Sequence, residues 1–196
     1  MIGELVATNR QWRGLTDKDV WMPGVGSTTG HEEALSIRNG FTWVPPSLSS
    51  SEPQLVEISM ERRGQVIKFC FDSTRVWPHT PNWLAPTLCS FAEVLTIPAN
   101  WDSYGARPIQ PGVASSALDS LFAVMRDSTP LPSVVPTAKG GIQLEWHSRR
   151  FDLEVVFQPG ENGEVYCEDK DSSTEWGGRL SDVVQRLNGI LAELAD

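Results

Sequence analysis

Glu145, Asp152, Glu154 and Glu168 recur at spacings that a β-sheet would bring onto one face. They lie in a stretch where Ile142, Leu144 and Trp146 alternate with polar residues. Phe151, Leu153, Val155 and Phe157 continue the pattern, followed by Val165 and Cys167. Alternation at period two marks half-buried strands, so the polar positions share the opposite face. A symmetric turn at Ser148-Arg149 sets Trp146 opposite Phe151, Leu144 opposite Leu153 and Ile142 opposite Val155. The polar face then sets Glu145 opposite Asp152 and Gln143 opposite Glu154. Pairing Phe157 with Val165 across the turn at 159–163 brings Glu168 opposite Glu154 and Lys170 opposite Asp152.

Opposed like charges in a sheet cost on the order of tenths of a kcal/mol per pair, so this face calls for a compensating cation. A divalent metal on Asp102, Glu145, Asp152 and Glu154 would suit a small metal-dependent hydrolase, for example one acting on a phosphoester. A basic protein surface would compensate equally well. Arg149, Arg150 and Lys170 at the edge would leave only a solvated face. An open sheet face lacks the concavity of a catalytic pocket, which favours the partner surface over the metal.

Other chemistry is weaker. Cys70, His79 and Cys89 could offer zinc ligands, but no CxxC or HxxH spacing accompanies them. Nothing singles out a Cys-His nucleophile pair, and buried cysteine is usually a small hydrophobe. Gly24-Val25-Gly26-Ser27-Thr28-Thr29-Gly30 has the look of a phosphate loop without its Lys or a leading strand. No GxSxG, HExxH or Walker signature is present. The reading leans against an enzyme and expects no cofactor.

The elements that position this face read as α+β. Residues 1–50 form an irregular arm anchored by Trp12, Trp21 and Trp43, and residues 47–53 a turn-rich linker. Residues 51–196 form the α+β domain, with a sub-boundary near residue 80. Val56, Ile58 and Met60, then Ile67, Phe69 and Phe71, alternate about Glu61-Arg62-Arg63-Gly64 and predict a β-hairpin. Pro86 opens a helix carrying Leu88, Phe91, Ala92 and Leu95 on one face. Pro111 opens another, with Val113, Ala114, Ala117, Leu118, Leu121, Phe122 and Met125 as its stripe. Pro130, Pro132 and Pro136 enforce an extended connection. Ser181 is the expected N-cap of a last helix with Val183, Val184, Leu187, Leu191 and Leu194 facing the core. The predicted fold is an antiparallel sheet, a C-terminal three-stranded meander plus the N-terminal hairpin, packed against two or three helices.

At 196 residues with 40% hydrophobic content the chain can bury a real core. No apolar run is long enough for a membrane span, and the first twenty residues lack the apolar centre of a signal peptide. Three widely spaced cysteines argue against a disulfide framework, so a cytoplasmic location is expected. The net charge of −9 is uneven. Residues 1–100 hold 10 acids against 8 bases, and residues 101–196 hold 15 against 8. That balance repels phosphate backbones and suits a basic protein partner. Helix, three strands and helix over residues 111–195 match the order of double-stranded-RNA-binding domains. The acids between Glu161 and Glu175 oppose that function.

Asn100-Trp101-Asp102-Ser103-Tyr104-Gly105-Ala106-Arg107-Pro108, followed by Gly140-Gly141-Ile142-Gln143-Leu144-Glu145-Trp146, form a second signature. Physically, the first segment reads as a structured turn. Asp102 caps backbone amides, Gly105 takes a positive φ, and Trp101 and Tyr104 fill the core; the functional alternative makes Asp102 and Tyr104 ligand contacts. The two segments resemble those of a family of bacterial and phage-associated proteins with an NWDGYGA-like segment followed by GGIQLEW. Here Ser103 stands in place of that segment's Gly. The resemblance covers about residues 88–168 and implies a bacterial or phage source and a shared fold, with no activity carried over.

The expected function is a non-catalytic interaction module that is antitoxin-, immunity- or phage-accessory-like. Glu145, Asp152, Glu154, Glu168, Trp101 and Tyr104 would bind its basic partner, with no nucleic acid and no membrane involved. The alternatives are the metal-dependent hydrolase and a small-ligand or sugar-binding protein using exposed tryptophans.

Overall fold

A computed structural model describes residues 35–37, 41–43, 55–72, 75 and 80–195. Trp12, Trp21, the glycine-rich 24–30 segment, the whole 47–53 linker and His79 lie outside the described residues. Two compact units divide the chain, Met1–Thr80 and Pro81–Asp196.

The first unit holds an antiparallel sheet in the order β1 (Leu35–Ile37), β2 (Phe41–Trp43), β3 (Leu55–Arg62) and β4 (Gln65–Asp72). Strands β1 and β2 fall within the segment expected to be irregular. The predicted hairpin is present, closed by Arg63 (φ 49) and Gly64 (φ 74). Positive φ at both central positions is the turn whose twist matches antiparallel strands, and Gly64 adopts it without strain. Ile58, Met60, Ile67, Phe69 and Phe71 are buried, as the alternation requires.

In the second unit, α1 (Leu84–Leu95) and α2 (Pro111–Val124) precede an antiparallel five-stranded meander, and α3 (Leu180–Glu193) follows it. The strands are β5 (Ser133–Pro136), β6 (Ile142–His147), β7 (Phe151–Phe157), β8 (Glu164–Asp169) and β9 (Thr174–Arg179). The α+β class therefore holds, while the three-stranded meander gains a strand at each edge. The proline-rich connection is extended as expected, but it pairs with β6 as an edge strand, where missing N–H donors are tolerated. β9 was not expected, because Thr-Glu-Trp-Gly-Gly-Arg carries no apolar alternation.

The helices cover one sheet face: α1 meets β5, α2 meets β6 and β7, and α3 meets β8 and β9. Leu88, Phe91, Leu118, Leu121, Leu144, Leu153, Leu187 and Leu191 are at most 1% exposed. Burying each such side chain contributes about 1.5–3 kcal/mol before entropy is counted.

Helix starts differ from expectation in two places. α1 begins at Leu84, so Pro86 is its third residue rather than its first, a place where the N–H has no intrahelical acceptor to lose. α3 has Arg179 as N-cap with no side-chain capping bond. Ser181 instead donates to Asp182 Oδ1 at 2.8 Å. The helix starts directly off β9 because the Leu180 N–H is taken by the Gly163 carbonyl at 2.7 Å.

Candidate functional site

The hairpin joining β6 to β7 sets the site's register. The Ser148 N–H donates to the Phe151 carbonyl at 2.8 Å, and the Phe151 N–H returns a bond to Ser148 Oγ at 2.8 Å. Arg149 and Arg150 are thus the two central turn residues. The expected centre at Ser148-Arg149 is one residue early. Trp146 faces Leu153, Leu144 faces Val155, Glu145 faces Glu154 and His147 faces Asp152. In the next pair Val155 faces Val165, Asp152 faces Glu168 and Glu154 faces Tyr166. Both pairings slip by two residues from expectation, and an even slip leaves every side chain on its original face. Glu145, Asp152, Glu154 and Glu168 therefore do share the face away from the helices.

β9 extends that face. Glu175 pairs with Glu168, and Gly177 pairs with Tyr166. The resulting rows are His147, Asp152, Glu168 and Glu175, then Glu145, Glu154, Tyr166 and Gly177.

One half of the face neutralises itself. Gln143 Nε2 donates to Glu145 Oε1 at 2.8 Å. His147 bridges the strands, with Nε2 3.1 Å from Glu145 Oε2 and Nδ1 2.9 Å from Asp152 Oδ1. Lys170 Nζ donates to the same Asp152 oxygen at 2.7 Å and to the Ser148 carbonyl at 3.1 Å. Two carboxylates thus meet one ammonium and one imidazole that has an acceptor on each nitrogen. Such a ring is held best as imidazolium, with both N–H groups donating. The bond to Asp152, then that to Glu145, raises the His147 pKa above its ordinary value. Lys170 first and His147 second lower that of Asp152. An imidazole so engaged has no free lone pair with which to activate a nucleophile.

The other half keeps its charge. Among the described residues Glu154 and Glu168 have no hydrogen-bond or ion-pair partner. With Glu175 they surround Tyr166, which is 39% exposed. Partial withdrawal from water raises the Tyr166 pKa, and Glu175, Glu168 and Glu154 push it further in the same direction. At the corner of the sheet Arg150 gathers a separate acidic set. It reaches Asp169 Oδ2 at 3.0 Å, Glu193 Oε2 at 2.7 Å and Asp171 Oδ2 at 3.7 Å.

Trp101, Asp102 and Tyr104 belong to the α1–α2 loop, not to the sheet. The Asp102 carboxylate accepts the N–H groups of Ala106 (3.0 Å) and Tyr104 (2.8 Å), and these bonds, that from Ala106 foremost, lower its pKa. Asn100 Oδ1 accepts the Gly105 N–H at 2.8 Å, and the Asn100 N–H closes the loop on the Ala106 carbonyl at 2.7 Å. Asn100 (φ 60), Ser103 (φ 64) and Gly105 (φ 93) all take the left-handed conformation. The capping role of Asp102 and the positive φ of Gly105 match expectation. The aromatic side chains do not fill the core: Trp101 is 38% and Tyr104 94% exposed. Three left-handed residues turn this short loop outward, and Ala106, 3% exposed, takes the inward position instead.

Three of the four candidate metal ligands are engaged elsewhere: Asp102 by loop amides, Glu145 by Gln143 and His147, and Asp152 by Lys170 and His147, which leaves Glu154 alone without such a partner among the described residues. Among the described residues no group of three or more His, Cys, Asp or Glu is arranged to hold a metal ion. Cys70, Cys89 and Cys167 are unbridged, and burial raises the thiol pKa of Cys70 and Cys167. Sequence reasoning missed His147, Tyr166 and Glu175. The first two alternate in phase with Glu145 and Glu168, so the same periodicity contains them; Glu175 depends on a strand without that signal. No helix among the described residues is long and apolar enough to cross a membrane. No family model matches the chain, and no curated protein or solved structure is significantly similar to it.

Proposed function

We propose that this chain is a non-catalytic interaction module, antitoxin-, immunity- or phage-accessory-like, that binds a basic protein through the outer face of its five-stranded sheet. The observation that carries the reading is Tyr166, half exposed and ringed by Glu154, Glu168 and Glu175. An aromatic anchor inside a ring of charge is a common interface arrangement, because the aromatic supplies affinity and the charges supply steering. Glu154 and Glu168 have no partner of their own among the described residues, so a Lys or Arg from outside would meet carboxylates already free to pair. The braced 100–106 loop is a second contact candidate. Its exposed Trp101 and Tyr104 start ordered, which lowers the entropy lost on binding.

The test is affinity capture from the source cell, followed by titration of the purified partner at several salt concentrations. Replacing Glu154 and Glu168 by Lys should weaken binding at least about tenfold, equivalent to ~1.4 kcal/mol, and flatten its salt dependence. An unchanged dissociation constant in that variant, with its circular dichroism intact, would remove the outer face from the function.

A further inference from the structure

Among the described residues β9 is bonded on one side only. Strand order sets β8 against one of its edges, and Thr174, Glu175, Gly177, Gly178 and Arg179 are all exposed. The phase of the ladder follows from the bond between the Leu180 N–H and the Gly163 carbonyl, which continues the register pairing Glu164 with Arg179. Antiparallel pairs alternate, so Thr174, Trp176 and Gly178 turn their backbone groups towards β8. Glu175, Gly177 and Arg179 turn theirs outwards. Exposed edges are commonly blunted by Pro, Lys or a covering element. β9 contains neither residue.

The strand is also complementary to itself in reverse. With a two-fold axis through Gly177, Glu175 lies opposite Arg179 of the partner subunit, and Trp176 opposite Gly178 of the partner subunit. Each residue with outward backbone groups then meets another, so the paired strands exchange N–H···O=C bonds along their length. On the axis Gly177 meets its own copy with no side chain between the backbones. Trp176, under the Arg186 guanidinium at 4.3 Å, meets a glycine that leaves room for the indole.

We propose that β9 is the interface of a homodimer in which two copies pair antiparallel through Gly177 and join their sheets into one. The occupant is a second copy, not a foreign strand, because Glu175 and Arg179 match each other in this register and no other segment is needed. The two readings share Glu175, but their tests are distinct: the outer-face test substitutes Glu154 and Glu168 and reads binding of a foreign partner, whereas this one reads self-association.

Sedimentation velocity of the full chain over a wide concentration range tests it. Wild type should show a reversible monomer–dimer equilibrium. Glu175→Arg alone and Arg179→Glu alone should each shift the equilibrium towards monomer, since each places like charges opposite one another at two symmetric positions. An equimolar mixture of the two variants should dimerise again, because every facing pair is then opposite in sign. Both positions are exposed, and circular dichroism verifies that the variants are folded. A wild type that stays monomeric at its highest concentration would overturn the proposal. So would a dimer indifferent to both substitutions, or a mixture that fails to recover.

Discussion

His147 and Asp152 face each other across β6 and β7, with Nδ1 2.9 Å from Oδ1, and that contact makes one end of the sheet's acidic face electrically quiet. Without it, and without Lys170 on the same carboxylate, Asp152 and Glu145 would add to the free charge around Tyr166. Strand pairing, not an added ion, resolves half of the like-charge crowding.

This pair makes the network sensitive to pH. The folded-state pKa of His147 lies above the ordinary 6.5. Its stabilising effect is therefore complete below pH 6.5 and disappears as pH rises through the elevated folded value. Asp152 is shifted below 3.8, so its contribution is present above that value and is lost as pH falls through the depressed one. His147→Gln should be less stable than wild type at pH 5.5, by under about 1 kcal/mol because the ring is half exposed. The difference should close in mildly alkaline buffer. NMR titration of the ring gives the direct readout: a wild-type midpoint at or below 6.5 would contradict the geometry, and Asp152→Asn should lower the midpoint.

Two glycines separate backbone strain from crowding. At Gly105 (φ 93) an added Cβ meets nothing within 4 Å, so Gly105→Ala should cost only the left-handed conformation, about 1 kcal/mol. At Gly140 (φ 85) the added Cβ would lie 2.7 Å from the Pro108 carbonyl oxygen, and the segment is tied there by the bond from the Gln110 N–H to the Gly140 carbonyl. Gly140→Ala should therefore lower Tm by more than Gly105→Ala. Equal shifts would mean that the 107–110 segment yields freely.

Neighbouring residues in β7 should respond in opposite ways. Leu153 is fully buried, and Leu153→Ala should cost about 2–5 kcal/mol through lost contacts and a cavity. Glu154→Ala, one residue on, should leave chemical denaturation within about 0.5 kcal/mol of wild type or stabilise the fold by removing a like-charge neighbour of Glu145. A large loss at Glu154 would show that its carboxylate has an internal structural role.

Tyr166→Ala tests the anchor apart from the charges. With a purified basic partner it should weaken binding by about 2 kcal/mol, roughly 30-fold, mainly through faster dissociation. Tyr166→Phe should keep most of the affinity if ring area dominates. A silent alanine variant would reassign the contact to the 100–106 loop, where Trp101 and Tyr104 can be replaced in turn.

Periodicity in the sequence was enough to identify the hairpin of the first unit, the helical stripes and the two faces of β6, β7 and β8. All of these depend on a local rule, that neighbouring side chains in a strand point to opposite sides and those of a helix repeat every 3.6 residues. The Asp102 cap and the positive φ of Gly105 were legible for the same reason, since both are made within a few residues. Register was not: Ser148 hydrogen bonds moved the turn centre by one residue, and only the even size of the resulting slip kept Glu145, Asp152, Glu154 and Glu168 together. β9 became a strand because β8 offered an open edge, a cue absent from its own composition. Local chemistry pointed Trp101 and Tyr104 into the core, and their outward direction was not legible because it depends on how the 100–110 segment docks on Ala138 and Gly140. Sequence thus determined which residues share a face, whereas tertiary pairing decided which carboxylates are neutralised and which stay free, because charge compensation depends on contacts between strands.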